Sequence, residues 1–373
     1  MLTIVADDKI PFLKGILEPF GKVHYLPGGK ITKADLLQAD ALITRTRTKC
    51  SEALLAGTQV RFIASATIGF DHIDTAYCDQ NNIFWTNAPG CNAESVAQYI
   101  TFVLLQDAVL NKSSLRGKTL GVIGVGNVGS KVARNGEALG MKVLLNDPPR
   151  ARKEGKDAFT KLPELLAKAD YITCHTPLNM GGEDNSFHLA GNTFFSAMKK
   201  DAFFINSSRG EVCDNKALKK ALLTGRIRSA ALDVWENEPE LDVELLNLLQ
   251  CATPHIAGYS ADGKSNGTEM SIRALVRYFS LEKSFDPSVL QHPPLPENPL
   301  ITLDESKPET EQLFQAVKSA YDISGDDKRL RENPQKFEKL RADYPFRREF
   351  DSYTIRNGSP EIREILGALR FQK

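Results

Sequence analysis

Thr119-Leu-Gly-Val-Ile-Gly124-Val-Gly126-Asn127-Val128-Gly129 is the stretch on which the reading of this chain turns. A β-rich run leads straight into three glycines spaced Gly-x-Gly-x-x-Gly, and the chain then continues as a helix. Glycines at that junction let backbone approach a pyrophosphate, and the helix N-terminus supplies unpaired N–H groups that favour an anion. Asn127 and Val128, inside the loop, are candidate contacts with it. An isolated match of this kind is weak evidence. Here a second strand, Lys142–Asn146, leads into Asp147, eighteen residues past Gly129, where an acid accepts hydrogen bonds from an adenosine ribose. A carboxylate there repels a 2′-phosphate, which favours NAD over NADP. Arg150 pulls the other way, since it can pair a 2′-phosphate if Asp147 points aside. The competing reading is a tight strand-to-helix turn with a solvated acid beyond it.

Outward from this loop, short β-rich runs alternate with helical stretches. Residues 2–6, 23–26, 41–45, 61–65 and 83–86 read as strands upstream, and 142–146, 171–174, 202–206 and 229–234 downstream. Such alternation predicts two doubly wound parallel sheets, Rossmann-like or flavodoxin-like, in an α/β chain. Val96, Ile100, Val103 and Leu104 recur at helical spacing and mark a crossing from the first domain into the second. Residues 261–282 read as one long helix, despite Gly263 and Gly267, that returns the chain to the first domain. The expected organisation is a discontinuous substrate domain (1–95 plus 259–285), a dinucleotide domain (96–258) with a cleft between them, and a small C-terminal α/β domain (286–373). Pro287, Pro293, Pro294, Pro296 and Pro299 make the start of that last segment a linker. Helices are expected beyond it at 309–321 and 334–340.

Composition narrows the function by exclusion. Lys+Arg and Asp+Glu both number 47 in 373 residues, so bulk charge points to neither a nucleic-acid partner nor a membrane surface. The first nine residues reach acids too early for a signal-peptide core, and no apolar run approaches membrane-spanning length. Cys50, Cys78, Cys91, Cys174, Cys213 and Cys251 show no Cys-x-x-Cys spacing. They read as reduced thiols in a cytoplasmic enzyme without a metal site.

The chemistry lies downstream of the glycine loop. His175-Thr176-Pro177, Ser207-Ser208-Arg209 and Asp233 all fall at the carboxyl ends of predicted strands, the edge where open α/β sheets bind ligands. Arg209, Glu238 and His255 add a guanidinium, a carboxylate and an imidazole. A guanidinium grips a carboxylate through two parallel hydrogen bonds, and an imidazole accepts a hydroxyl proton near neutral pH once a carboxylate orients it. Each has a plainer reading. His255 can be one of six loop or surface histidines, Arg209 a surface charge before a glycine, and Glu238 a turn residue before Pro239 with Glu236 as an easily confused neighbour.

Taken in order, Gly-Val-Gly-Asn-Val-Gly, His-Thr-Pro-Leu, Ile-Asn-Ser-Ser-Arg-Gly, Leu-Asp-Val-Trp-Glu-Asn-Glu-Pro and Thr-Pro-His-Ile-Ala-Gly resemble the D-isomer-specific 2-hydroxyacid dehydrogenases. Ala88-Pro-Gly-Cys-Asn-Ala-Glu-Ser-Val-Ala97 and Gly69-Phe-Asp-His-Ile-Asp74 extend the resemblance over about residues 1 to 285. It implies NAD-dependent hydride removal from C2 of a hydroxy acid. Arg209 would bind the substrate carboxylate, His255 would take the hydroxyl proton and Glu238 would hold His255. Gly124, Gly126, Gly129, Asp147, Thr176, Ser207, Ser208, Arg209, Asp233 and Gly258 would contact the cofactor.

Gly258-Tyr259-Ser260 and the C-terminal domain resemble members that act on a four-carbon acid bearing a terminal phosphate. Thr46, Thr67 and Tyr259 would then be substrate contacts, and the extra domain would support a homodimer. Arg45 and Arg47 in Arg45-Thr46-Arg47-Thr48-Lys49 read either as a phosphate cradle or as a solvated basic strand end. Arg347-Arg348 reads as a structural or interface pair, or as another anion contact. Two other readings stay open at this point: a relative acting on phosphoglycerate, glycerate or glyoxylate, and a dinucleotide-sensing binding protein built on the same fold.

Overall fold

The computed structural model describes all 373 residues, and they form two compact units. The first comprises residues 1–92 and 260–294, the second 93–259 and 295–373.

In the first unit five parallel strands lie in the order β2-β1-β3-β4-β5: β1 (Leu2–Asp7), β2 (Gly21–Leu26), β3 (Ala41–Thr44), β4 (Phe62–Ser65) and β5 (Phe84–Thr86). Every residue of β3 and β4 is buried, as expected for central strands covered on both faces. The helix Ala261–Tyr278 packs on β4 and contributes Ile272, Leu275 and Val276 to a core with Ile4, Ile43 and Phe62. Its two glycines are close approaches. A Cβ at Gly263 would meet that of Asn92 at 2.8 Å, and one at Gly267 would run into the carbonyl of Ala66.

The second unit holds a six-stranded sheet in the order β11-β10-β9-β8-β6-β7: β6 (Thr119–Ile123), β7 (Lys142–Asn146), β8 (Tyr171–Cys174), β9 (Phe203–Asn206), β10 (Ser229–Leu232) and β11 (Cys251–Ala252). All are parallel, and β6 has β7 on one side and β8 on the other, which makes the β6/β8 boundary the switch point where such sheets open a crevice. Alternating side chains feed two cores. Phe203 joins Tyr99 and Phe102 of the helix Ala93–Leu110 on one face, and Phe204 joins Phe194, Phe195 and Trp235 on the other.

The C-terminal segment builds onto this unit. Its helix Glu309–Ala320 packs along Ala93–Leu110 through Leu313, Ala316 and Val317, with the Phe314 and Phe102 rings 5.2 Å apart. Two short parallel strands, β12 (Leu300–Ile301) and β13 (Thr354–Ile355), complete it. The helix expected at 334–340 is instead a 3-10 turn, Pro334–Lys336, followed by a helix over Phe337–Ala342. Pro334 lacks a donor and follows Asn333 in non-helical backbone, so the regular helix starts later. No helix is long and apolar enough to cross a membrane, and all six cysteines are buried and none forms a disulfide.

Candidate active site

At the switch point the glycines of the loop differ in what a side chain would meet. Gly124 has φ +83°, and a Cβ there would lie 2.8 Å from the Thr176 nitrogen; one at Gly129 would strike the Gly124 carbonyl. Gly126 is exposed, with nothing within 4 Å of a Cβ position. The helix that follows, Asn127–Ala138, has no side-chain cap at Gly126, so its first N–H groups are open to an anion. Two buried hydroxyls flank the crevice without a partner in the protein, Thr176 Oγ1 beyond β8 and Ser207 Oγ beyond β9. An orphaned buried hydroxyl costs about 1–3 kcal/mol, and polar atoms of a dinucleotide would satisfy both.

Asp147 accepts from Val125 N at 2.8 Å and from Arg150 N at 3.0 Å. A carboxylate has about four acceptor positions, so room for ribose hydroxyls remains. The Arg150 guanidinium is already engaged: its Nε and Nη2 lie 2.8 and 2.7 Å from the Glu154 carboxylate, and Nη1 donates to the Val125 carbonyl. These residues fit NAD. His175 is no proton acceptor here, because burial pushes its imidazole down to about 3 and Nε2 lies 3.0 Å from Thr173 Oγ1. Ser208 folds back on the sheet, with both N and Oγ donating to Asn206 Oδ1.

Glu238 and His255 are brought together. His255 Nδ1 lies 2.8 Å from Glu238 Oε2, and Glu238 Oε1 accepts from Trp235 N at 2.9 Å. An ionised carboxylate only accepts, so Nδ1 carries the shared proton and a neutral ring keeps its Nε2 lone pair. Glu236 is a separate element. It binds His188 Nε2 at 2.6 Å and caps Asn215 N at 2.8 Å.

The backbone of His255 sits in the left-handed region at φ +55°, unusual for a residue with a side chain. Asp233 holds it there: its carbonyl accepts from His255 N, while its buried carboxylate accepts from Ile256 N (2.8 Å), Ala257 N (3.0 Å) and Thr253 Oγ1 (2.7 Å). Burial pushes the Asp233 carboxyl above its ordinary range, against the lowering pull of His255 and those donors. Arg209 is half-buried at the end of β9 and donates to the Ser208 carbonyl at 2.9 Å. The next residue, Gly210, packs so closely on the Trp235 carbonyl that no Cβ fits, which ties the Arg209 segment to the Glu238 segment.

The proposed substrate contacts of the first unit divide. Arg45 forms a two-bond ion pair with the fully buried Asp7, Nε to Oδ2 at 3.1 Å and Nη2 to Oδ1 at 3.2 Å, so its guanidinium is committed to the fold. Thr46 and Arg47 are exposed, and Thr67 Oγ1 donates to the Gly69 carbonyl at 3.1 Å. In the second unit Tyr259 is half-buried, with Gly258 beside it. Arg347 and Arg348 are buried within the chain, which favours the structural reading of that pair. Sequence reasoning missed Thr253 and Trp235 as supports of this site. Trp235 and Thr253 stand inside the motifs that carry Glu238 and His255, and that adjacency was the signal available.

Residues 95–257 match the family described as D-isomer specific 2-hydroxyacid dehydrogenase, NAD binding domain, and residues 294–369 match a domain of unknown function (DUF3410). The chain is 48% identical to an erythronate-4-phosphate dehydrogenase of Bacteroides thetaiotaomicron over 360 residues, 95% of this chain and 99% of that one. It is 40% identical to the enzyme of that name from Proteus mirabilis over 375 residues, 99% of both chains. Among solved structures, a D-lactate dehydrogenase from Aquifex aeolicus complexed with NAD and lactic acid is similar at 28% identity and a TM-score of 0.60, over 77% of this chain and 98% of that one. The chain belongs to the erythronate-4-phosphate dehydrogenase family, within the D-isomer-specific 2-hydroxyacid dehydrogenases.

Proposed function

We propose that the protein oxidises 4-phospho-D-erythronate at C2 to 3-hydroxy-2-oxo-4-phosphobutanoate with NAD, a step toward pyridoxal 5′-phosphate. The observation that carries this reading is the His255–Glu238 pair, 2.8 Å from Nδ1 to Oε2. Bound NAD supplies the hydride acceptor. Arg209 grips the substrate carboxylate and draws electron density from the oxygen on C2. His255 Nε2 takes the hydroxyl proton, the O–H electron pair becomes the new C=O bond, and the C2–H pair departs as hydride. Glu238 keeps the ring aligned and stabilises the imidazolium that results. In the reductive direction that imidazolium returns the proton to the oxygen.

Thr46, Thr67, Arg47 and Tyr259 are proposed to meet the rest of the substrate, including its phosphate. The commitment of Arg45 to Asp7 argues that it shapes this edge rather than binding phosphate itself. A homodimer through the C-terminal segment is proposed on the separate family match of residues 294–369, and a cytoplasmic location accords with six cysteines that form no disulfide. Light scattering checks the first, with a monomer at micromolar concentration as the contrary result.

Formation of NADH, followed by absorbance, tests the activity. The specificity constant for 4-phosphoerythronate should exceed those for 3-phosphoglycerate and unphosphorylated erythronate at least tenfold, or about 1.4 kcal/mol of transition-state binding. A higher constant for either comparator would overturn the substrate assignment.

A further inference from the structure

Arg347 is 7% exposed, a rare position for an arginine, because a buried guanidinium must have its donors and charge matched. Its donors are spent on the turn that carries the candidate base. Nε donates to the Tyr259 carbonyl at 3.2 Å, Nη2 donates to Ser95 Oγ, and Nη1 lies 3.4 Å from Gln98 Oε1. Ser95 Oγ in turn donates to the Ala257 carbonyl at 2.6 Å. The guanidinium carbon sits 3.7 Å from the centre of the Tyr321 ring, whose face offsets part of its charge. Three residues earlier, Tyr344 sets its ring edge-on to that of Tyr259, centroids 5.7 Å apart.

The 255–259 turn is therefore gripped from two directions. Asp233 takes its N–H groups, and Arg347 with Ser95 takes its carbonyls. The first grip comes from the dinucleotide-binding sheet and the second reaches in from the C-terminal layer of the same chain.

We infer that Arg347 is a positioning residue for the reaction: through the Tyr259 carbonyl and Ser95 it fixes the turn that presents both Tyr259 and His255, so turnover depends on the C-terminal layer of each chain. This rests on the reading of Tyr259 as a substrate contact and His255 as the base. A guanidinium is needed because two acceptors at different angles must be held by one planar fork; an ammonium keeps the charge but not the fork.

The full-length protein is assayed as wild type, Arg347→Gln, Arg347→Lys, Ser95→Ala, Tyr259→Phe and Arg347→Gln/Tyr259→Phe. Steady-state kcat and KM for 4-phosphoerythronate are measured beside NADH binding by fluorescence and thermal midpoint. Arg347→Gln should lower kcat/KM at least tenfold while NADH affinity stays within twofold. Arg347→Lys should recover part of the loss, and Ser95→Ala should show a smaller loss of the same kind. The double variant should lose less than the product of the single losses. Unchanged kcat/KM in folded Arg347→Gln would overturn the inference. So would NADH affinity falling in step with activity, or losses that multiply in the double variant. Should Arg347→Gln fail to fold, wild-type kcat/KM in both Arg347→Lys and Ser95→Ala decides against it. Tyr259→Phe at wild-type KM removes the premise instead, a separate outcome because that variant keeps Arg347 and the backbone carbonyl it holds.

Discussion

Two carboxylates converge on His255 and do different work. Glu238 meets the ring, and the Asp233 carboxylate takes the backbone N–H groups of the next two residues, Ile256 and Ala257, with the Thr253 hydroxyl. Replacing His255 by Asn should lower kcat by roughly two to four orders of magnitude, the usual worth of a positioned base, with NADH binding kept. Stopped-flow hydride transfer beside a fluorescence titration checks this, and near-normal turnover would remove His255 from the proposed role. Asp233→Asn is expected to fail differently. The new amide must point its N–H₂ at a backbone donor, leaving a buried group unsatisfied at a cost of about 1–3 kcal/mol. Urea denaturation should show that loss, and activity should fall with it as the left-handed turn at His255 relaxes. The contrast shows what was legible at this scale. Arg209, Glu238 and His255 stand in motifs readable in order, whereas the end of a strand does not say which donors the Asp233 carboxylate will hold. Its carboxylate is taken by donors at 253, 256 and 257, and Arg45 is taken by Asp7 thirty-eight residues away. Only the folded chain brings those groups within reach.

Among elements, the long apolar runs were readable because central parallel strands bury both faces, as Phe203–Asn206 does throughout. β11, β12 and β13 were not, since two residues carry no period. The glycine loop lies between these cases: its spacing announces a dinucleotide, but not what each glycine is for. Gly126 and Gly129 should therefore part company on substitution. Gly126→Ala places its methyl in open space, so the fold should hold with a thermal midpoint near wild type while NADH affinity falls as the backbone loses close approach to the pyrophosphate. Gly129→Ala drives a methyl into the Gly124 carbonyl and should cost roughly 2 kcal/mol or more as the loop and helix separate. Calorimetry with a parallel NADH titration distinguishes the two. Equal losses of stability in both variants would contradict these assignments.

At the scale of the second unit, one acid ties three parts of the chain together. Glu94, near the start of the helix Ala93–Leu110, accepts from Lys131 (2.9 Å) and from Arg134 (3.1 and 2.8 Å) on the helix behind the glycine loop, and from Arg370 (3.2 Å) beside the C-terminus. Burial alone would raise its carboxyl, but Arg134 and Lys131 outweigh that and hold it down at about 2, against an ordinary 4.5. The folded state thus binds this proton more weakly than the unfolded chain. The resulting stabilisation is fully present above about pH 5 and is lost as pH falls toward 2. With its cationic partners 30 to 45% exposed, solvent screening reduces the contribution to roughly 2 kcal/mol. Glu94→Gln should therefore be less stable than wild type by about that amount at pH 7, and the gap should close as pH is lowered from 5 toward 2. Denaturant unfolding across that range, at low ionic strength to limit screening, measures it. A gap of constant size at every pH would mean that Glu94 serves the unit by packing rather than by charge.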